Sequence, residues 1–261
     1  MTIPNLSLEG SVAVITGGRM GVGKATALMF AEAGADIAIC DLIADDGKMD
    51  AVVEEIEKMG RRGLAVQADV SKKDQVDDFF QKTVSELGTV DILVNNVGVA
   101  SGKPGGITVL EEDELDKMMR INLYSVYFCC QAAAKIMVEK KKGNIINLAS
   151  QAAFKSFPGG SVYCVAKAGV VMLTRVLAHE LGGFNIRINA IAPSVITTEF
   201  MSPIIKLDWE DPKIRESASK GLPLGRVSDA EEIAGVALFL ASDLSSYMTG
   251  DTVFVDGGAL A

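Results

Sequence analysis

Tyr163 and Lys167 stand four residues apart in a stretch with helical periodicity, so their side chains share one face and project toward one point. A phenol is a poor base at neutral pH, but a neighbouring ammonium favours the phenolate and brings the pair into the range of acid/base chemistry. Taken alone, that spacing more often marks a surface packing pair, so other residues must decide. Ser150 follows an apolar run at the carboxyl edge of a strand, where open parallel sheets place ligands. Its hydroxyl could bind a carbonyl or alcohol oxygen. Asn122 lies inside a long helical segment, where asparagine is a mediocre former; that suits a polar role toward backbone or a proton-relay water.

A second set of residues suits phosphate and ribose. After a short β-branched run the chain reads Thr16-Gly17-Gly18-Arg19-Met20-Gly21-Val22-Gly23 and opens into a helix. Glycine permits close approach of backbone N–H groups to a pyrophosphate, whose charge is favoured at a helix N-terminus. The spacing is G-x-x-x-G-x-G rather than G-x-G-x-x-G, and its setting between strand and helix favours dinucleotide binding over an ordinary tight turn. Asp41 ends the next strand, where a carboxylate accepts hydrogen bonds from adenosine ribose hydroxyls. Against a 2′-phosphate the same carboxylate costs about 4 kcal/mol at roughly 4 Å and an effective dielectric near 20, before relaxation and screening reduce it. NAD is therefore favoured over NADP, with Arg19 as a partial compensating cation.

The elements that must position these residues alternate along the chain. Apolar runs predict strands at 12–16, 36–40, 63–67, 91–95, 144–149, 185–190 and 252–255. Helical spacing predicts helices at 24–33, 46–59, 72–87, 111–139, 163–181 and 229–241. Strands that are nearly all apolar are buried on both faces, so the pattern predicts an α/β fold: one doubly wound, Rossmann-type, seven-stranded parallel sheet with helices on both faces. No linker or repeat divides residues 1–261, which are read as a single dinucleotide-binding and catalytic domain. The long irregular stretch at about 194–223, with Phe200, Met201, Ile204, Ile205 and Trp209 among mixed charges, is the expected substrate lid.

Composition limits the alternatives. The 261 residues are 49% hydrophobic and 23% charged with a net charge of −9, which excludes a disordered chain and disfavours nucleic acid or anionic membrane as partner. The most strongly apolar runs, such as 235–241, are far shorter than a bilayer span, and no secretion signal is visible. Four cysteines without Cys-x-x-Cys spacing and the single His179 predict reduced thiols, no metal centre and a cytoplasmic location.

Taken together, Thr16 to Gly23, Asp41, Asp69-Val70, Asn95-Asn96-Val97-Gly98, Asn122, Ser150, Tyr163-x-x-x-Lys167, Pro193 to Thr198 and Asp256-Gly257-Gly258 resemble the short-chain dehydrogenase/reductase family along essentially the whole chain. The resemblance implies a nicotinamide cofactor and reversible oxidation of an alcohol to a carbonyl. It implies Tyr163 as general acid/base, Ser150 as substrate-oxygen binder, Lys167 as the residue that lowers the tyrosine pKa and holds the nicotinamide ribose, and Asn122 as relay. Cofactor contacts implied in the same way are Gly17, Arg19, Met20, Gly21, Val22 and Gly23 at the turn, and Asp41 at the ribose. Asp69 and Val70 would meet adenine, Asn95, Asn96 and Gly98 would shape the cleft, and Pro193, Ile196 and Thr198 would lie by the carboxamide. Two positions depart from the common pattern: Val97 where alanine is usual and Ser194 where glycine is usual. Neither removes a reacting group.

The expected function is that of an NAD-dependent alcohol dehydrogenase or ketoreductase acting on a small secondary alcohol or ketone. One alternative is a 3-oxoacyl-(carrier protein or CoA) reductase using NADPH; another is a noncatalytic nucleotide-binding scaffold subunit, against which the complete tetrad weighs. The resemblance also implies a homotetramer formed through the long helices around Asn122 and Tyr163.

Overall fold

The computed structural model describes residues 5–100, 106–198 and 208–261. Seven parallel strands form one sheet: β1 (Val12–Thr16), β2 (Asp36–Asp41), β3 (Gly63–Gln67), β4 (Ile92–Asn95), β5 (Gly143–Leu148), β6 (Ile186–Pro193) and β7 (Thr252–Val255), in the order β3-β2-β1-β4-β5-β6-β7. The crossovers are helices α1 (Gly21–Glu32), α2 (Lys48–Lys58), α3 (Lys73–Leu87), α4 (Glu112–Met119), α5 (Ser125–Lys140), α6 (Ser161–Leu181), α7 (Pro212–Ser219) and α8 (Ala230–Ala241).

Strand alternation divides the apolar residues between two cores. Val12, Val14, Ala38 and Cys40 face a layer built from α3, α5 and α6, whereas Ala13, Ile15, Ile37 and Ile39 face α1, α2 and α8. Full burial of side chains such as Phe30, Phe79 and Ile145 contributes about 1.5–3 kcal/mol apiece. Two helical stretches, Glu112–Lys140 and Ser161–Phe184, are long and apolar enough by length and composition to cross a membrane, although the sequence shows no unbroken run of that length. One face of each is spent on the sheet: Val126, Cys129, Ala133 and Met137 of the first and Ala166, Val170, Leu173 and Thr174 of the second are buried.

Three differences from the sequence-based expectation matter for function. The segment expected as one helix over 111–139 is broken at Arg120–Tyr124 by a wide π turn, and Asn122 sits inside it. Strand β6 runs three residues further than expected, to Pro193, so its end reaches the catalytic edge of the sheet. Within the stretch expected as a lid, α7 is a short helix started by Asp211, whose carboxylate accepts the Lys213 N–H (2.8 Å), with Pro212 at the first helical position. The apolar residues Phe200, Met201, Ile204 and Ile205 expected to line that lid lie outside the described residues.

Candidate active site

The sheet order reverses between β1 and β4, and parallel sheets open a crevice at that point beyond the carboxyl ends of their strands. The two loops are stitched together there. Thr16 Oγ1 accepts the Asn96 and Val97 N–H groups (3.0 and 3.2 Å), and Asn96 Nδ2 donates to the carbonyls of Thr16 and Gly17 (3.0 and 3.1 Å). Gly17 adopts φ +67, a left-handed conformation that favours glycine. A Cβ on Gly23 would lie 2.0 Å from the Gly17 carbonyl oxygen, so α1 packs against the turn only because that residue has no side chain.

A cleft of about 1240 Å³ opens from this point, and every cofactor-side residue expected from the sequence borders it except Gly23 and Asn95. The bordering set spans Gly17, Arg19, Met20, Gly21 and Val22 of the turn, Asp41 at the end of β2, Asp69 and Val70 after β3, Asn96 and Gly98 after β4, and Pro193, Ile196 and Thr198 after β6. Asp69 is fixed locally, its Oδ1 accepting the Ser71 N–H (3.0 Å) and hydroxyl (2.6 Å). Ile196 bridges to Ser228, and the Thr198 carbonyl accepts the Trp209 indole N–H (2.9 Å), which folds the start of the 194–223 stretch back on itself.

At the ribose end the arrangement is more acidic than the motif alone suggests. The Arg19 guanidinium lies between two carboxylates: Nε is 3.4 Å from Asp41 Oδ1, and Nη1 is hydrogen-bonded to Asp46, a residue that sequence reasoning did not single out. Nothing in the spacing marks Asp46, because its approach depends on how the β2–α2 loop turns back.

The catalytic candidates converge at the other end. Ser150, Tyr163 and Lys167 border the cleft. The Ser150 hydroxyl accepts the Ala152 N–H (3.1 Å) and is near enough to the Tyr163 phenol to favour its deprotonated form. Lys167 is buried, lies 5.9 Å from the centre of the tyrosine ring and donates to the Leu148 carbonyl at the end of β5 (2.7 Å). Asn122 does not border the cleft. From the π turn its Oδ1 accepts the Val99 N–H (2.9 Å) while its Nδ2 donates to the Met118 carbonyl (3.0 Å). It is nevertheless adjacent: a Cβ on Gly98 would sit 3.1 Å from Asn122 Oδ1 and 3.3 Å from Lys167 Nζ.

Burial pushes the Tyr163 phenol above its ordinary value, and Ser150 offsets this only in part. Burial also pulls Lys167 down to about 8, so the ammonium titrates just above neutrality.

Behind the site runs a buried polar chain that the sequence did not reveal. Asn95 Nδ2 donates to Asn147 Oδ1 (2.8 Å), and Asn147 Nδ2 donates to Thr174 Oγ1 (2.9 Å), which donates to the Val170 carbonyl (2.9 Å). Thr174 lies on the same buried stripe of α6 as Tyr163 and Lys167. This chain therefore docks the helix carrying the acid/base pair onto β5 and β4.

Comparison with known proteins agrees with this arrangement. A family profile described as enoyl-(acyl carrier protein) reductase matches residues 17–259. The chain belongs to the short-chain dehydrogenase/reductase family. It is 36% identical over 253 residues to the 3-oxoacyl-(acyl-carrier-protein) reductase FabG of Thermotoga maritima, covering 97% of this chain and 99% of that protein. It is 37% identical over 268 residues to a cyclohexanol dehydrogenase of Rhodococcus sp. strain TK6, covering 97% of each. The crystal structure of levodione reductase superposes with a TM-score of 0.88 at 34% identity, covering 97% of this chain and 99% of that one. Membership makes the protein an oxidoreductase, and the family implies a nicotinamide cofactor. The residues present fit that group: the glycine turn leaves backbone exposed to the cleft and has no room for a Cβ at Gly23.

Proposed function

We propose that the protein is an NAD(H)-dependent oxidoreductase of the cytoplasm that interconverts a small secondary alcohol and its ketone. The observation that carries this reading is that Ser150, Tyr163 and Lys167 border one cleft with the glycine turn, Lys167 Nζ lying 5.9 Å from the centre of the tyrosine ring. A bound nicotinamide supplies or accepts the hydride.

The chain's own residues handle the oxygen and its proton. Ser150 and Tyr163 hold the substrate oxygen; Tyr163 Oη gives its proton to that oxygen as a ketone is reduced and takes one back as an alcohol is oxidised. Lys167, fixed by the Leu148 carbonyl, places a positive charge by the ring that favours the deprotonated phenol once substrate oxygen occupies the site. Asn122 holds the Val99 amide and stands beside Lys167 next to Gly98, the place of a relay residue. Asp41 accepts from the ribose and repels a 2′-phosphate, which supports NAD over NADP. The described part of the stretch read as a lid reaches the cleft through Ser194, Val195, Ile196 and Thr198.

A second reading, a 3-oxoacyl-(carrier protein or CoA) reductase using NADPH, is favoured by the similarity to FabG. Absorbance at the reduced-nicotinamide band, with a panel of alcohols, ketones and 3-oxoacyl thioesters offered with each cofactor, separates the two. Turnover of simple ketones with NADH supports the first reading, and turnover confined to thioesters with NADPH replaces it with the second.

The assembly we propose is a homotetramer. Supporting this, Tyr127 (50% exposed) on α5 and Val165 (61%) and Met172 (55%) on α6 are apolar side chains that the sheet does not cover. Light scattering is expected to give the tetramer mass; a monomer would overturn this assignment.

A further inference from the structure

We propose that Asp46 is a cofactor-specificity determinant, acting by holding Arg19 so that its guanidinium is not free to receive a 2′-phosphate. This rests on the nicotinamide reading above. Arg19 is the one cation of the turn, and its side chain is only 12% exposed beside the ribose-binding position. All three of its nitrogens are directed within the protein: Nε toward Asp41 at 3.4 Å, Nη1 onto Asp46, and Nη2 toward the Met20 thioether at 3.1 Å.

The two carboxylates do not hold it equally. The Asp41 contact is longer than a well-formed hydrogen bond, and Asp41 Oδ1 also accepts the Ile43 N–H (3.1 Å). Asp46 makes the direct charge-assisted bond. It is itself anchored, its Oδ1 accepting the Lys48 N–H (3.1 Å) where α2 begins. The guanidinium and its two acids sum to one net negative charge at the place where NADP carries an added phosphate. Asp41 thus disfavours the phosphate by repulsion, and Asp46 by withholding the cation that would otherwise compensate.

The test is the dissociation constant of NADH and of NADPH, read from reduced-nicotinamide fluorescence without turnover. Asp46→Asn keeps the oxygen that accepts from Lys48 but loses the charge, and Asp46→Ser is a second variant with the same acceptor capacity. Both are expected to tighten NADPH about tenfold relative to NADH, the order of one unit charge acting through a partly solvated site. Asp45→Asn, removing an exposed neighbouring charge, is expected to change the ratio less than about threefold. In an Arg19→Gln background the Asp46→Asn gain is expected to disappear. An unchanged NADPH-to-NADH ratio in both Asp46 variants overturns the proposal, and so does a gain that persists without Arg19. Failure of the unsubstituted protein to bind either dinucleotide would instead remove the nicotinamide reading, and this inference with it.

Discussion

The two ends of the cleft are built on opposite physical plans. The ribose end is a set of charged side chains, Arg19 and Asp46 on loops and Asp41 at the end of β2, partly open to water and linked by ion pairs. The catalytic end is backed by neutral amides and hydroxyls, Asn95, Asn122, Asn147 and Thr174, with Lys167 as its buried cation, all carried on or between packed elements. Screened charges on loops change selectivity at little structural cost, whereas buried polar groups tolerate no loss of a partner. Ligand choice and chemistry are thereby separable in this molecule, and four perturbations test that separation.

The largest effect is expected from Tyr163→Phe, which should lower turnover by about 10²- to 10⁴-fold while leaving NADH affinity near that of the parent. Steady-state rates paired with fluorescence titration decide this, and retention of more than about a tenth of the rate excludes general acid/base catalysis by the phenol. Next is pH. Lys167, lowered to about 8 by burial, is charged below that value and neutral above it. Ketone reduction needs the protonated pair, so its rate is expected to be level below pH 8 and to fall up to about tenfold per unit above it, as a rate profile would show. Thr174→Val leaves the buried Asn147 Nδ2 without its acceptor, and urea unfolding is expected to show a loss of about 1–3 kcal/mol. Asp41→Ala should give the smallest change, narrowing the NADH-over-NADPH ratio by no more than about tenfold. If that variant instead unfolded the protein or abolished turnover, the two ends would not be independent.

Strand β1 lies where its apolar run predicts it, because a strand buried on both faces needs little more than continuous β-branched or aliphatic residues, and the partly buried edge strands β3 and β7 also lie at their predicted positions. The glycine turn and the Tyr163–Lys167 pair were equally legible, since short spacings within one turn or one helix face translate directly into proximity. What escaped was set by tertiary contact. The π turn at 120–124 adds a residue without disturbing the apolar character of the segment. Asp46 meets Arg19 only because two loops meet, and the upward push on Tyr163 reflects how deeply its ring is packed.

The π turn carries a geometric consequence of its own. A regular helix advances roughly 100° per residue, so excising one position between Arg120 and Tyr124 would straighten the rod and swing its leading half about a quarter-turn around its axis. Asn122 would then release the Val99 amide, and the stripe from Asp113 to Arg120 that borders the cleft would rotate away from it. One surplus residue keeps the two halves of that rod out of phase with each other, and the crevice owes one of its walls to the mismatch.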